Sequence, residues 1–223
     1  MIPNPYPGTL FAMEGIDGGG KSVQLKILLQ WLRNRGLNAQ ETKEPNKTGL
    51  YGKLIYKDLD NPNGLHHTNP KLFQSWYAAD SKQNIRDKVI QFISNSRGVV
   101  VSDRFRPSMV YGADNAGIEE LMRATEAIMG DHFIWPDAIF IFDISVDIAI
   151  ERLKQKGRKL DGHENIEKLT RVRDRYLTFA RMYHNCHIIP AEDSVDVVAE
   201  RVRHIAIEVL KQKGQYDLSA EVS

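Results

Sequence analysis

TLFAMEGIDGGGKSVQLKILLQWL, residues 9–32, decides the fold. Thr9–Glu14 is a short, mostly apolar run that reads as a buried strand stopping at Gly15. From Lys21 to Arg35, leucines at 25, 28, 29 and 32 recur with a helical period, and Gly36 ends the helix as a C-terminal cap. Between strand and helix, Gly15-Ile16-Asp17-Gly18-Gly19-Gly20-Lys21-Ser22 matches G-x-x-x-x-G-K-[ST] in full. In such a loop the glycines let backbone N–H groups converge on phosphate oxygens, and the helix N-terminus adds positive potential. Lys21 is expected to reach the β- and γ-phosphates of a nucleotide, and the Ser22 hydroxyl to ligate Mg²⁺. Asp17 is unusual, because a carboxylate inside an anion-binding loop repels the ligand. It must face a donor, either a sugar hydroxyl of a second substrate or a buried arginine, and the residues alone leave both open.

Outward from this unit, short apolar runs alternate with helical patterns. Asn38–Lys43 reads as a second strand, Gly98–Ser102 as a strand buried on both faces, Ala138–Phe142 as another, and His187–Ile189 as a short last one. The intervening helices are expected over Pro70–Ser96, Ile118–Met129, Val146–Lys156, Asn165–His184 and Ser194–Gln212, the last capped by Ser194 or Asp193. Five apolar strands separated by helices imply an α/β domain with a five-stranded parallel sheet flanked by helices. A single domain over 1–213 is expected, with a flexible tail at 214–223.

Composition narrows the function. The 223 residues are 42% hydrophobic and 26% charged, which excludes a disordered or fibrous chain. A net charge of +1 provides no global basic field for nucleic acid, so no nucleic-acid partner is expected. No apolar run approaches the roughly 18 residues of a membrane helix. The start, MIPNPYPGTL, lacks the pattern of a signal peptide. The single cysteine, Cys186, makes no internal disulfide, consistent with a cytoplasmic setting.

Two further signals carry chemistry. Val99-Val100-Val101-Ser102-Asp103-Arg104 is a strand ending in a carboxylate, which suits a metal-facing Walker B aspartate. Arg104 then stands at the edge of the sheet where open α/β folds bind ligands, and its fork suits a second phosphate. The plain alternative is an Asp–Arg pair capping the next helix. Lys154, Lys156, Arg158 and Lys159 form a basic connection that runs into the flap-like GRKLDGHE at 157–164. This reads either as a lid over about 154–164 that brings a cation to the transferring phosphoryl group, or as a solvated helix end. Arg152, about a turn earlier, is structural or catalytic. His66 and His67 lie in a polar loop and are read as surface residues.

These residues resemble the thymidylate kinase family over about 9–212. Glu14–Ser22 is similar to the family's phosphate loop, aspartate included. Thr42-Lys43-Glu44-Pro45 resembles its T-R-E-P, Tyr77-Ala78-Ala79-Asp80 its F-x-A-D, and Asp103-Arg104-Phe105 with Ser108 its D-R-Y/H…S. Arg158, Asp161 and Glu164 fall where the lid's R…D-R-x-E lies, and Arg171–Leu177 resembles the following V-R-x-x-Y-L. The resemblance implies a three-layer P-loop kinase fold with a short lid, and transfer of the ATP γ-phosphoryl group to dTMP with Mg²⁺. The family is typically a homodimer.

It also implies roles. Residues 15–22, that is Gly15, Ile16, Asp17, Gly18, Gly19, Gly20, Lys21 and Ser22, would hold ATP, with Ser22 and Asp103 on Mg²⁺. Asp17 would meet the 3′-hydroxyl, Lys43 and Arg104 the acceptor phosphate, and Tyr77 the base, with Glu44, Ser81, Ser108 and Tyr111 completing the acceptor site. Lys21, Arg104 and Arg158 would be the catalytic cations. Arg158 takes that part because Gly18 stands where one subgroup carries an arginine. The acceptor is a phosphate oxyanion, so no general base is required. The chain departs from the family at Ser81, usually an arginine that reads a pyrimidine carbonyl, and at Tyr111-Gly112, Gly162 and Asn46-Lys47-Thr48. A kinase of other base specificity, or a catalytically weak nucleotide-binding homologue, are the alternatives. A GTPase-like switch is disfavoured because N-K-x-D is missing.

Overall fold

A computed structural model describes residues 2–112, 117–157 and 166–216. The expected lid residues Arg158, Lys159, Asp161, Gly162 and Glu164 lie outside the described residues. The elements run β1 (Ile2–Pro3), β2 (Thr9–Glu14), α1 (Lys21–Asn34), β3 (Asn38–Lys43), α2 (Leu50–Leu59), α3 (Leu65–Thr68), α4 (Pro70–Asn84) and α5 (Ile90–Ile93). They continue with β4 (Gly98–Asp103), α6 (Ile118–Met129), β5 (Ile134–Trp135), β6 (Ala138–Asp143), α7 (Val146–Gln155), α8 (Ile166–Met182), β7 (Cys186–Pro190) and α9 (Val195–Gln212).

The main sheet is five-stranded and parallel, in the order β3-β4-β2-β6-β7. Every residue of β2 is buried, as expected of a central strand covered on both faces. Alternate side chains divide the core. Phe11 and Met13 join Val99, Val101, Phe140 and Phe142 under α1 and α9. Leu10 and Ala12 join Val100, Ile139 and Ile141, which pack with Phe133, Trp135, Tyr176 and Phe179 on the other face. The result is the three-layer α/β/α sandwich expected from the sequence.

Register positions the site. Thr42 pairs with Ser102 and Lys43 with Asp103 across β3–β4, while Met13 pairs with Asp103 across β2–β4. Lys43, Asp103 and Glu14 therefore reach the same C-terminal edge. β2 lies between β4 and β6, where the chain's strand order reverses, the usual ligand crevice of open parallel sheets.

Several boundaries differ from the sequence expectation. The helix expected over Pro70–Ser96 is α-helical to Asn84, passes through a π-helical stretch at Ile85–Val89 and ends at Ile93. The sequence reading missed α2 and α3, which lie in a region interrupted by Asn46, Asn61, Pro62, Asn63 and Gly64. It also missed the 3₁₀ segment Arg106–Gly112 and the two-residue pair β1–β5, too short for any periodicity. His66 is not a surface residue: its side chain is 6% exposed and its Nδ1 lies 2.8 Å from Asp58 Oδ2. Tyr216, expected in the tail, stacks on Trp31 at 6.3 Å between ring centroids; residues 217–223 lie outside the described residues.

Candidate active site

The phosphate loop is shaped by glycine where backbone approaches backbone. Gly15 has φ +128°, and a Cβ there would lie 2.6 Å from Phe142 O. Gly18 has φ +87°, and a Cβ would lie 2.5 Å from Ala149 O on α7. An arginine at position 18 therefore does not fit this backbone. Gly20 takes the N-cap of α1 in a left-handed conformation, with no side chain capping the helix and no acidic residue in its first turn. The opening N–H groups of α1 are thus left to an anion.

Lys21 is 6% exposed and folds back over the loop, donating from Nζ to Gly15 O and Ile16 O, both at 2.9 Å. Asp17 Oδ1 lies 3.6 Å from the same ammonium. Burial, followed by the repulsion of Arg104, pushes Lys21 down to about 8 against the pull of Asp17, Asp103 and Glu14. Ser22 follows at the exposed start of the helix.

Arg104 is the non-glycine residue with positive φ among the described residues, at 71°. Its Nη2 pairs with Asp17 Oδ1. Its Nη1 donates to Ser108 Oγ at 3.3 Å and to Gly15 O and Tyr176 Oη at 3.4 Å. Its guanidinium carbon lies 5.1 Å from the centre of the Tyr111 ring. Of the two partners open for Asp17, the structure shows the arginine.

Glu14 supports this turn from beneath and was not singled out by the sequence reading. Fully buried, it accepts from Phe105 N at 2.6 Å, and from Ser108 Oγ and Tyr176 Oη at 2.8 Å each. Burial pushes its carboxyl up, against the opposing charge of Arg104. Both Glu14 and Tyr176 lie inside the segments that carry the family resemblance, which was the available signal.

Asp103 Oδ2 pairs with Lys43 Nζ at 2.7 Å, whereas Oδ1 is buried and has no hydrogen-bond partner. A buried carboxylate oxygen left over near enough to act on the Lys21 ammonium suits a hard cation or its water. Among the described residues no group of three or more His, Cys, Asp or Glu forms a metal cage. That sparse oxygen set fits Mg²⁺, which keeps waters and phosphate oxygens in its shell.

Glu44 follows Lys43 at the end of β3. It accepts from Ser81 Oγ at 3.0 Å and Asn84 Nδ2 at 3.1 Å, and Asn84 in turn accepts from Thr42 Oγ1 at 2.7 Å. Burial pushes the Glu44 carboxyl up to about 7 despite nearby Arg106. Tyr77 sits one turn before Ser81 on α4, its ring edge-on to Phe73 at 5.3 Å. Burial raises its hydroxyl, and Arg104 opposes this. Burial raises the hydroxyl of Tyr56 on α2, and the charges of Lys43 and Arg104 oppose this. Arg152 donates to Ala191 O at 3.2 Å, a structural contact.

The described site residues thus converge on one edge: the loop, Lys21 and Ser22 on one side, and Lys43, Glu44, Tyr77, Ser81, Arg104, Ser108 and Tyr111 on the other. Such an arrangement can hold two anionic ligands side by side and neutralise charge between them.

The family model described as thymidylate kinase matches residues 13–202. The chain is 32% identical over 200 residues to a probable thymidylate kinase of Methanosphaera stadtmanae, covering 89% of this chain and 97% of that protein. It is 32% identical over 198 residues to the thymidylate kinase of Thermosipho africanus, covering 87% and 95%. It is 33% identical over 208 residues to that of Oleidesulfovibrio alaskensis, covering 88% and 96%. The chain therefore belongs to the thymidylate kinase family.

Proposed function

We propose that this protein is an ATP-dependent nucleoside monophosphate kinase that transfers the γ-phosphoryl group of ATP to dTMP, giving dTDP and ADP. The observation that carries this reading is the pair of adjoining anion sites. The α1 N-terminus with Lys21 is one, and Arg104, tied to the same loop through Gly15 O and Asp17, is the other.

In this reading ATP lies with its phosphates on residues 15–22. Lys21 turns from the carbonyls of Gly15 and Ile16 toward the β- and γ-phosphates. Arg104 and Lys43 grip the acceptor phosphate, Tyr77 carries the base, and Asp17 takes the 3′-hydroxyl while holding Arg104 in place. Glu14 fixes the Arg104 turn through Phe105 N, Ser108 and Tyr176. The acceptor oxygen is already an oxyanion near neutral pH, so the protein's work is alignment and charge neutralisation. Ser22 and Asp103 would hold Mg²⁺, which when bound neutralises charge on the transferring phosphoryl group. Arg158 would supply a further cation from the lid.

Residues 1–213 are proposed as one kinase domain, acting as a homodimer in the cytoplasm. Exposed Leu50 and Leu54 on α2 and Leu72 on α4 offer apolar surface for a second copy. No helix among the described residues is long and apolar enough to cross a membrane. Steady-state assay with ATP, Mg²⁺ and dTMP tests the activity: dTDP and ADP are expected in equal amounts. ATP consumption without dTDP would refute it. Light scattering of the purified chain tests the dimer, which a monomer mass would exclude.

A further inference from the structure

Helix α8 is tied to both sides of the site. The V-R-x-x-Y-L pattern falls on it at Val172, Arg173, Tyr176 and Leu177. Arg173 and Tyr176 stand three residues apart and so share a face of the helix. Tyr176 is 1% exposed and serves the acceptor side. Its Oη donates to Glu14 Oε2 at 2.8 Å and accepts from Arg104 Nη1 at 3.4 Å. Arg175, beside it, donates to Val110 O at 3.2 Å. Arg173 reaches the other side. Its Nε donates to Asp143 Oδ1 at 2.6 Å and its Nη2 to Asp143 Oδ2 at 3.2 Å, a two-point fork on one carboxylate.

Asp143 is the last residue of β6, and the residue before it lies against the phosphate loop at two points. A Cβ on Gly15 would lie 2.6 Å from Phe142 O, and one on Gly19 would lie 3.6 Å from Phe142 Cβ. Asp143 O accepts from Ala191 N at 2.9 Å, which ties the end of β6 to the chain beyond β7. Glu192, another carboxylate that acts on Arg173, accepts from Ser145 N at 2.8 Å. One turn of α8 therefore joins the strand end beneath the ATP loop to the arginine of the proposed acceptor site.

In-line transfer needs the reacting atoms about 3–3.5 Å apart, and a misplacement of about 1 Å costs up to about a hundredfold. Each anion site holds its ligand through its own groups, the α1 N-terminus and Lys21 on one side, Arg104 and Lys43 on the other. The distance between the two sites is a separate quantity. Arg104 reaches the loop directly through Gly15 O and Asp17, but does so on rotatable bonds. A packed helical turn anchored at both ends is stiffer.

We propose that Arg173, forked on Asp143, is a positioning residue that locks α8 across the two sites and so sets the distance over which the phosphoryl group moves. Its effect falls on the transfer step and on the binding of neither nucleotide. This role rests on the kinase function proposed above. The plain alternative is a surface ion pair, since the two side chains are 33% and 23% exposed, and such a pair affects only stability, and that slightly.

The test is the single-turnover rate of transfer from ATP to dTMP, with both nucleotides and Mg²⁺ saturating, at a temperature well below melting. Wild type, Arg173→Lys, Asp143→Asn and the double variant are compared, and Kd is measured for dTMP and for an ATP analogue. Arg173→Lys keeps the charge and loses the fork; Asp143→Asn keeps the shape and loses the charge. Each is expected to slow transfer by about tenfold, with both Kd values within about twofold of wild type. The double variant is expected to be no slower than the slower single one, because both changes act through one contact. Transfer within about twofold of wild type in a folded single variant overturns the proposal. A weakened Kd that accounts for the whole loss overturns it as well, and so does a double variant slowed by the product of the single effects, about a hundredfold. Either single variant decides on its own, so failure of one to fold does not shield the proposal. Absence of transfer in the wild-type enzyme would refute the kinase function itself, a separate outcome.

Discussion

The phosphate loop takes its anion donors from consecutive residues, Gly15–Ser22. The proposed acceptor side draws Lys43 from β3, Tyr77 from α4, Arg104 from the end of β4 and Tyr176 from α8. The loop is fixed by backbone: its glycines press against Phe142 and Ala149, and its positive potential comes from a helix end. The acceptor side is fixed by side chains, whose contacts span large separations. Arg104 meets Asp17 across 87 residues, and Tyr176 meets Glu14 across 162. A site made of backbone tolerates sequence change outside its motif, whereas a site made of side chains can be retuned one residue at a time. Ser81, which donates to Glu44, lies on the retunable side.

The sharpest way to break this contrast is Lys21→Ala. It removes the cation from the loop and is expected to lower kcat by about a thousandfold. The melting temperature should not fall, because the lysine is desolvated in the folded state. A variant with near-normal turnover would contradict the loop's role.

On the acceptor side, the buried support is expected to show in stability. Glu44 has its folded value raised to about 7 from 4.5. Its contribution is therefore fully present below about 4.5 and is lost as pH rises through about 7. The loss amounts to at most about 3 kcal/mol. Denaturant titrations at pH 5 and pH 8 should show this decline in the wild-type protein and a flatter profile in Glu44→Gln. Equal slopes in both would remove Glu44 as its source.

Arg104→Lys keeps the charge but removes the fork that joins Asp17, Ser108 and Tyr176. We expect kcat/KM for dTMP to fall about a hundredfold, with the KM for ATP changed by less than about twofold. A matching rise in the ATP constant would erase the division between the two sides. The smallest effect is expected from Glu14→Gln. It takes one acceptor from beneath the Arg104 turn and should lower kcat/KM for dTMP by about tenfold, again sparing ATP.

The same contrast explains what was legible in the sequence. The strand, loop and helix of residues 9–34 were readable because their signals are contiguous, and the sheet followed from apolar runs such as Val99–Val101 and Ile139–Phe142. Residue identities on the acceptor side came from segments that resemble the family, but their contacts did not. Nothing local in β2 says that Glu14 accepts three hydrogen bonds from residues about 90 and 160 positions away. His66 looks like a surface residue because its neighbours are polar, but its side chain is covered by Asp58 and the ring of Phe73 from separate helices. Helix α2 was hidden because its flanks, Asn46–Gly49 and Asn61–Gly64, read as continuous turn. The π-helical stretch at Ile85–Val89 leaves no mark in the pattern of apolar residues.

The central claim is that one sheet edge carries two separate anion sites, one for each nucleotide. Calorimetric titration of Lys21→Ala and Arg104→Lys with an ATP analogue and with dTMP tests it directly. The account predicts a double dissociation: Lys21→Ala loses the ATP analogue and keeps dTMP, while Arg104→Lys weakens dTMP and keeps the ATP analogue. Loss of both ligands together in either folded variant, or competition between the two ligands in the wild-type protein, would contradict it.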